Sequence, residues 1–319
     1  MMERRGRFAP TPSGQLHIGN AFTALCAWLQ IRQADGKFLL RIEDIDKPRC
    51  RPEYALQQQE DLRWLGLDWD EGPLIEGPFA PYEQSSREPL YEEALQRLIR
   101  AGHVYPCYCS RADQTAIGSA PHGLSSEGAA YQGICRSMSH VERDKRAIAK
   151  APSLRFMMPE DAVSFQDDIA GTQSHASGDF IVKRADGMYS YQLAVTVDDA
   201  AMGITDVWRG SDLLDSTPRQ LALYEALELT PPRFAHVPLI GDAEGNRLSK
   251  RGKSNTLAEL RADGVPSERL VGLLAYLAGW QQQLEPVRAY ELIPYFHKEQ
   301  LNKPILSVRD DQLKWLRGT

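Results

Sequence analysis

Apolar and polar positions come in blocks along this chain, and the period of the blocks changes from one to the next. Arg7-Phe8-Ala9 reads as a short strand, and Pro10-Thr11-Pro12-Ser13-Gly14 behind it as a turn-rich loop. From Asn20, apolar residues recur at Phe22, Leu25, Trp28 and Leu29, a helical spacing that Gly36 brings to a stop. Lys37 to Ile42 then predicts a buried strand, since Phe38, Leu39, Leu40 and Ile42 are bounded by the polar run Glu43-Asp44-Ile45-Asp46. Strand, helix and strand in succession imply an α/β fold with a parallel sheet and crossover helices.

The pattern continues with a helix from near Pro52 to near Gly66, proline being tolerated at a first helical position. Another is expected from Ser85, where Ser85 and Glu88 have the spacing of a capping box. Its apolar face is Leu90, Ala94, Leu95, Leu98 and Ile99, and Gly102 ends it. From Tyr105 to Gly133 periodicity fades and cysteine, glycine and serine dominate, which reads as an insertion. Two β-rich runs between Asp179 and Val197 flank Asp186-Gly187, a hairpin signal. A helix capped near Ser216 or Thr217, with Pro218 in its first turn, returns to the α/β pattern. Beyond about Ile240 come a basic glycine-containing loop and helices around Leu257–Arg261 and Glu268–Leu277.

Composition narrows the class of molecule. At 319 residues the chain is long enough for about two domains and a real core, so no covalent staple is required to hold it. Hydrophobic content of 42% and charged content of 25% exclude a disordered, collagenous or rod-like chain. Five cysteines are too few for a disulfide scaffold and point to a reducing, cytoplasmic setting. The start carries no signal-peptide core, and no apolar stretch approaches the ~18 residues that span a bilayer. A net charge of −6 argues against sequence-blind coating of DNA, while leaving room for local basic patches on RNA.

Two motifs carry phosphate chemistry. Ser13, Gly14, His17, Gly19 and Asn20 sit where the first strand hands over to the first helix, a place where small residues let backbone approach phosphates. His17 supplies a donor side chain there. The second motif is Arg247-Leu248-Ser249-Lys250-Arg251, continued by Gly252-Lys253-Ser254, in which Lys250 is placed to neutralise charge developing on pyrophosphate. The bland alternatives are an ordinary turn and a solvated basic loop.

Cys107, Cys109 and Cys135 fall in the insertion. A closed zinc site takes four ligands, and on residue chemistry alone His103 or His122 would complete the set. Against this stands the reading of three buried small hydrophobes. Clustering in a segment with few core formers favours the metal. Cys26 lies on an apolar helix face and reads as core; Cys50 has no assigned role.

Taken together, the first motif, Arg247–Arg251, Arg7–Gly14, Arg41–Asp46 and Val207–Thr217 resemble the class I aminoacyl-tRNA synthetases, and within them the glutamyl branch. The match extends over nearly the whole chain and is nearest to the short paralogues that glutamylate queuosine of tRNA(Asp). It implies a Rossmann-like parallel sheet split between residues 1–104 and 191–240, an inserted zinc-bearing α/β subdomain at 105–190, and a small helical stem-contact region at 241–319. Only 68 residues follow Arg251, so no anticodon-binding domain is expected.

The resemblance also implies a ligase that activates L-glutamate with ATP and Mg²⁺ and acylates the queuosine base in the anticodon of tRNA(Asp). It makes His17 and Lys250 catalytic. It assigns ATP to Ser13, Gly14, His17, Gly19, Asn20, Arg247, Leu248, Ser249, Lys250 and Arg251. Glutamate falls to Arg7, Ala9, Thr11, Glu43, Tyr191 and Arg209, with Glu43 facing the ammonium and the arginines and Tyr191 the carboxylates. Without it, Arg41, Glu43, Asp44 and Asp46 are equally well surface ion pairs, and Tyr191 a core aromatic. It further implies Tyr131 as the fourth ligand of Zn²⁺, and the expected protein is a cytoplasmic monomer. A truncated synthetase charging tRNA(Glu), or a non-catalytic zinc-bearing RNA-binding module, are the competing readings.

Overall fold

The computed structural model describes residues 3–75, 77–110, 131, 133–242 and 256–318. The strands in chain order are β1 (Arg5–Phe8), β2 (Lys37–Leu40), β3 (Val104–Cys107), β4 (Ser153–Phe156), β5 (Val163–Asp167), β6 (Gly171–His175), β7 (Phe180–Lys183), β8 (Asp206–Gly210), β9 (Arg233–Val237), β10 (Leu239–Gly241) and β11 (Ile305–Ser307). A six-stranded sheet runs β2-β1-β8-β9-β5-β6. It is parallel from β2 to β5, with β6 folding back antiparallel on β5. Both faces of its apolar strands are covered, as a parallel sheet requires. One core packs the helix Ile18–Gln33 and the helix Ser267–Ala278 around Phe22, Leu25, Trp28 and Leu274. Another packs the helices Glu88–Arg100, Tyr191–Ala201 and Thr217–Ala226 around Tyr91, Leu95, Leu193 and Leu223.

The expected α/β class with a parallel sheet is therefore present. β3, β4 and β7 form a separate antiparallel sheet, while the β5–β6 hairpin from the same stretch of chain joins the large sheet. Toward the C-terminus, β10 pairs with β11 and the chain ends in the helix Asp310–Arg317.

Two local expectations are corrected. Ser85 caps no helix: its hydroxyl donates to Asp44 Oδ2 at 2.6 Å and its amide to Asp44 Oδ1 at 2.8 Å. The helix starts at Glu88, because Pro89 has no N–H to give and belongs in a first turn. The second arm of the hairpin expected around Asp186-Gly187 is also not a strand. Gly187 does turn the chain at φ 90°, and Lys183 bridges Tyr189, but Ser190 then caps a helix by accepting from Leu193 N at 3.3 Å. A cap and burial of nearly every side chain from Gln192 to Asp199 outweigh the β-branched run Val195-Thr196-Val197.

Candidate active site

In the large sheet the chain passes from β1 outward to β2 on one side and from β8 outward to β9 on the other. The crevice at the carboxyl ends of β1 and β8 is thus the switch point where open α/β sheets take ligands. A cavity of about 620 Å³ opens there. Its lining includes Arg7, Ala9, Thr11, Glu43, Tyr191 and Arg209, and also Ser13, Gly14, His17, Gly19 and Asn20. Eleven residues singled out in the sequence therefore share one space. Arg247, Leu248, Ser249, Lys250 and Arg251 lie outside the described residues. The chain that follows them returns to the site: Thr256 bridges His17, and Leu257 N donates to Leu16 O at 2.8 Å.

One end of the cavity is built from the start of the helix Ile18–Gln33. His17 is its N-cap; Gly19 N donates to His17 Nδ1 at 3.1 Å, and His17 N donates to Asn20 Oδ1 at 3.0 Å. With Nδ1 accepting, the imidazole proton belongs on Nε2, which makes that atom a donor. A side chain at Gly14 would meet nothing within 4 Å, so the loop is open there. Gln58 holds the loop from beneath, donating to Thr11 O at 3.1 Å and Gly14 O at 2.8 Å. No local motif marked Gln58; a glutamine on the buried face of a helix was the available signal.

The deeper end is a buried charge network. Arg7 contacts Asp199 with Nε and Nη2 at 3.3 and 3.1 Å. Arg41 gives Nη1 to Asp199 Oδ1 at 2.7 Å and Nη2 to Glu43 Oε1 at 3.0 Å. Arg87, Tyr91 and Gln84 converge on Asp198 at 2.6, 2.7 and 2.9 Å. The segment from Arg41 to Glu43 is therefore not a solvent-facing set of ion pairs: Arg41 and Glu43 are buried. Burial raises the Glu43 carboxyl above its ordinary range against the pull of Arg41 and Arg7. Burial also opposes ionisation of Asp199, yet Arg7 and Arg41 together hold it below. Tyr191 is raised by burial and by Glu43. Arg209, on β8, donates to His236 Nε2, Gln220 Oε1 and Thr217 Oγ1. The result is a polar pocket with an acid at one wall and guanidinium groups at the others, suited to a small zwitterion with a second carboxylate.

Away from the cavity, Cys107, Cys109 and Cys135 bring their Sγ atoms within 4.8 Å of one another. Tyr131 Oη lies 3.5 Å from both Cys107 and Cys109 Sγ and accepts from Cys135 N at 2.9 Å. Arg155 packs its guanidinium over the Tyr131 ring at 3.8 Å and donates Nε to Cys107 Sγ at 3.2 Å. Three converging sulfurs fit the donor chemistry of a zinc centre, with the Tyr131 hydroxyl beside them in the fourth position that the resemblance implies. His103 is not in this group; its ring stacks on Phe156, and His122 lies outside the described residues. Burial pushes the Cys109 thiol up to about 11. Burial works the same way on Cys135, but the Tyr131 hydroxyl keeps that thiol below its usual value.

Among the described residues no helix is long and apolar enough to cross a membrane. The family model for class I tRNA synthetases (E and Q), catalytic domain, matches residues 3–315. A glutamyl-Q tRNA(Asp) synthetase of Symbiobacterium thermophilum is 56% identical over 317 residues, covering 98% of both chains. One of Nitratidesulfovibrio vulgaris is 46% identical over 323 residues, covering 99% of both. Among solved structures, a glutamate-tRNA synthetase of Elizabethkingia anophelis superposes with a TM-score of 0.83 at 29% identity. That match covers 98% of this chain and 70% of the other.

Proposed function

The chain belongs to the class I tRNA synthetases for glutamate and glutamine, a family of ATP-using ligases, and on that premise we propose that it activates L-glutamate and transfers it to queuosine in the anticodon of tRNA(Asp). The observation that carries the first half is the cavity, in which Glu43, Arg7, Tyr191 and Arg209 adjoin the His17 end of a helix. The acceptor is supported by the two relatives of that name, each matched end to end.

Glu43 receives the ammonium, and Arg209 with Arg7 and Tyr191 receives carboxylate. The α-carboxylate is already ionised at neutral pH, so no general base is needed for the first step. Its oxygen attacks the α-phosphorus of ATP, the bond to the β-phosphate oxygen breaks, and pyrophosphate leaves with its electron pair. His17 Nε2–H, the helix N–H groups and Lys250 stabilise the charge gained by the phosphates. Mg²⁺ arriving with the nucleotide would add further neutralisation. In the second step a queuosine hydroxyl attacks the mixed anhydride carbonyl, AMP leaves, and the hydroxyl proton is released. Cys107, Cys109, Cys135 and Tyr131 would hold Zn²⁺, whose contribution there is to fix the fold of the β3–β4–β7 unit.

One assay tests the whole reading: labelled glutamate and ATP with tRNA(Asp) containing or lacking queuosine, and with tRNA(Glu). Label confined to queuosine-bearing tRNA(Asp) is expected. Label on tRNA(Glu) would make this a synthetase for that tRNA, and label on neither would leave an RNA-binding module.

A further inference from the structure

Arg209 is 3% exposed, and its guanidinium hydrogen bonds go to neutral acceptors: His236 Nε2 at 2.9 Å, Gln220 Oε1 at 2.8 Å and Thr217 Oγ1 at 2.8 Å. Among the described residues no carboxylate is in ion-pair contact with it. Arg7, Arg41 and Arg87, buried in the same region, each contact Glu43, Asp198 or Asp199. Buried cations are ordinarily paired, so Arg209 differs from these three neighbours.

Behind Arg209 lies a second layer. His236 Nδ1 is 2.6 Å from Asp167 Oδ2, and both side chains are fully buried. Asp167 Oδ1 is held in turn by the amides of Ile169, Ala170 and His236 at 3.0, 2.8 and 3.2 Å. For Nε2 to accept from Arg209, the imidazole proton must sit on Nδ1, facing Asp167. Burial lowers the His236 pKa, which keeps the ring neutral. Asp167 thus supports the guanidinium across an imidazole without touching it. An acid in direct contact would satisfy the cation before any ligand arrived and would repel an incoming carboxylate.

We propose that His236, locked in one tautomer by Asp167, acts with Gln220 and Thr217 as a positioning and specificity device. It fixes Arg209 through neutral acceptors so that its charge remains for the side-chain carboxylate of the amino acid, in preference to a carboxamide. The proposal rests on the reading that the cavity takes glutamate.

Calorimetric titration of the full chain with glutamate and with glutamine tests it, alongside urea unfolding midpoints. Gln220→Glu, nearly isosteric, puts an acid on Arg209. It is expected to weaken glutamate binding at least about tenfold with little change for glutamine, because the lost donation from Gln220 Nε2 to Gln192 Oε1 acts on both ligands alike, and the unfolding midpoint reports that the variant is folded. His236→Leu removes an acceptor and is expected to weaken glutamate similarly. His236→Gln can accept from Arg209 and donate to Asp167, and should stay within about threefold of the parent. Gln220→Glu is decisive even where His236→Leu fails to fold. Parent-like glutamate affinity and preference in folded Gln220→Glu overturn this inference alone. A parent protein that binds no glutamate overturns the functional reading and takes this inference with it.

Discussion

Arg7, which lines the cavity, and Asp199 behind it meet at two points, Nε to Oδ1 at 3.3 Å and Nη2 to Oδ2 at 3.1 Å. The same carboxylate takes Nη1 of Arg41 at 2.7 Å, so one acid orients two buried cations. Asp199→Asn leaves both guanidinium groups underpaired, which should cost about 3–5 kcal/mol of unfolding free energy at pH 7. The sign with pH follows from the lowered carboxyl. The stabilisation is present above the unfolded value near pH 4 and is lost as pH falls through the still lower folded value. Urea unfolding at pH 7 and pH 3 should therefore show the gap between parent and variant narrowing at the lower pH. An equal gap at both would remove Asp199 as its source.

Gly19 sits within the first turn of the helix that His17 caps, and a Cβ there would lie 3.0 Å from His17 Cε1 and 3.1 Å from Nδ1. Gly19→Ala should displace the ring and release the Nε2–H from its set direction. Alanine is the better helix former by about 1 kcal/mol, so thermal stability should hold or rise. Activity should move the other way, with kcat/KM for ATP falling about tenfold, a loss of ~1.4 kcal/mol. Loss of both stability and activity would point to simple misfolding.

Lys250 enters through the sequence motif. Lys250→Ala is expected to slow adenylate formation at least ~tenfold, or ~1.4 kcal/mol of transition-state stabilisation. Pyrophosphate exchange, run with tRNA present, measures that step. An unchanged rate would remove Lys250 from the chemistry.

The sulfur cluster predicts about one zinc per chain in purified protein, by metal analysis. Chelation, or Cys135→Ser, should lower the unfolding temperature. Fewer than about half an equivalent would reject a tight site.

What could be read from the sequence was what is local in it. Phe22, Leu25, Trp28 and Leu29 repeat at helical spacing, and the helix is there; the first motif is contiguous and lines one cavity. The hairpin expected beyond Asp186-Gly187 failed at Tyr191–Ala201, where β-branched residues sit in a helix buried almost all round. Asp199, Asp167, His236 and Gln58 were missed because their partners lie tens to nearly two hundred positions away. Their signal was a charged or amide residue set among buried positions, as Asp198-Asp199 follow Val195-Thr196-Val197. That pattern flags a buried network without naming its other members.

Asp61 is fully buried on the helix Pro52–Trp64, and among the described residues neither carboxylate oxygen has a hydrogen-bond donor. Among the described residues it pairs with Arg261, whose Nη1 lies 3.6 Å from Oδ1, on the helix that follows the second motif. Burial pushes its carboxyl up to about 6, only partly opposed by Arg261. An acid raised on folding works against stability as it ionises. The cost is absent below the unfolded value near pH 4, grows to about pH 6, and stays in force above it. Asp61→Asn removes that ionisation and should stabilise the protein by about 1–3 kcal/mol at pH 8. At pH 4 the variant and parent should unfold at nearly the same urea concentration. If Arg261 instead makes a net favourable pair with the ionised acid, the variant will be the less stable protein at pH 8.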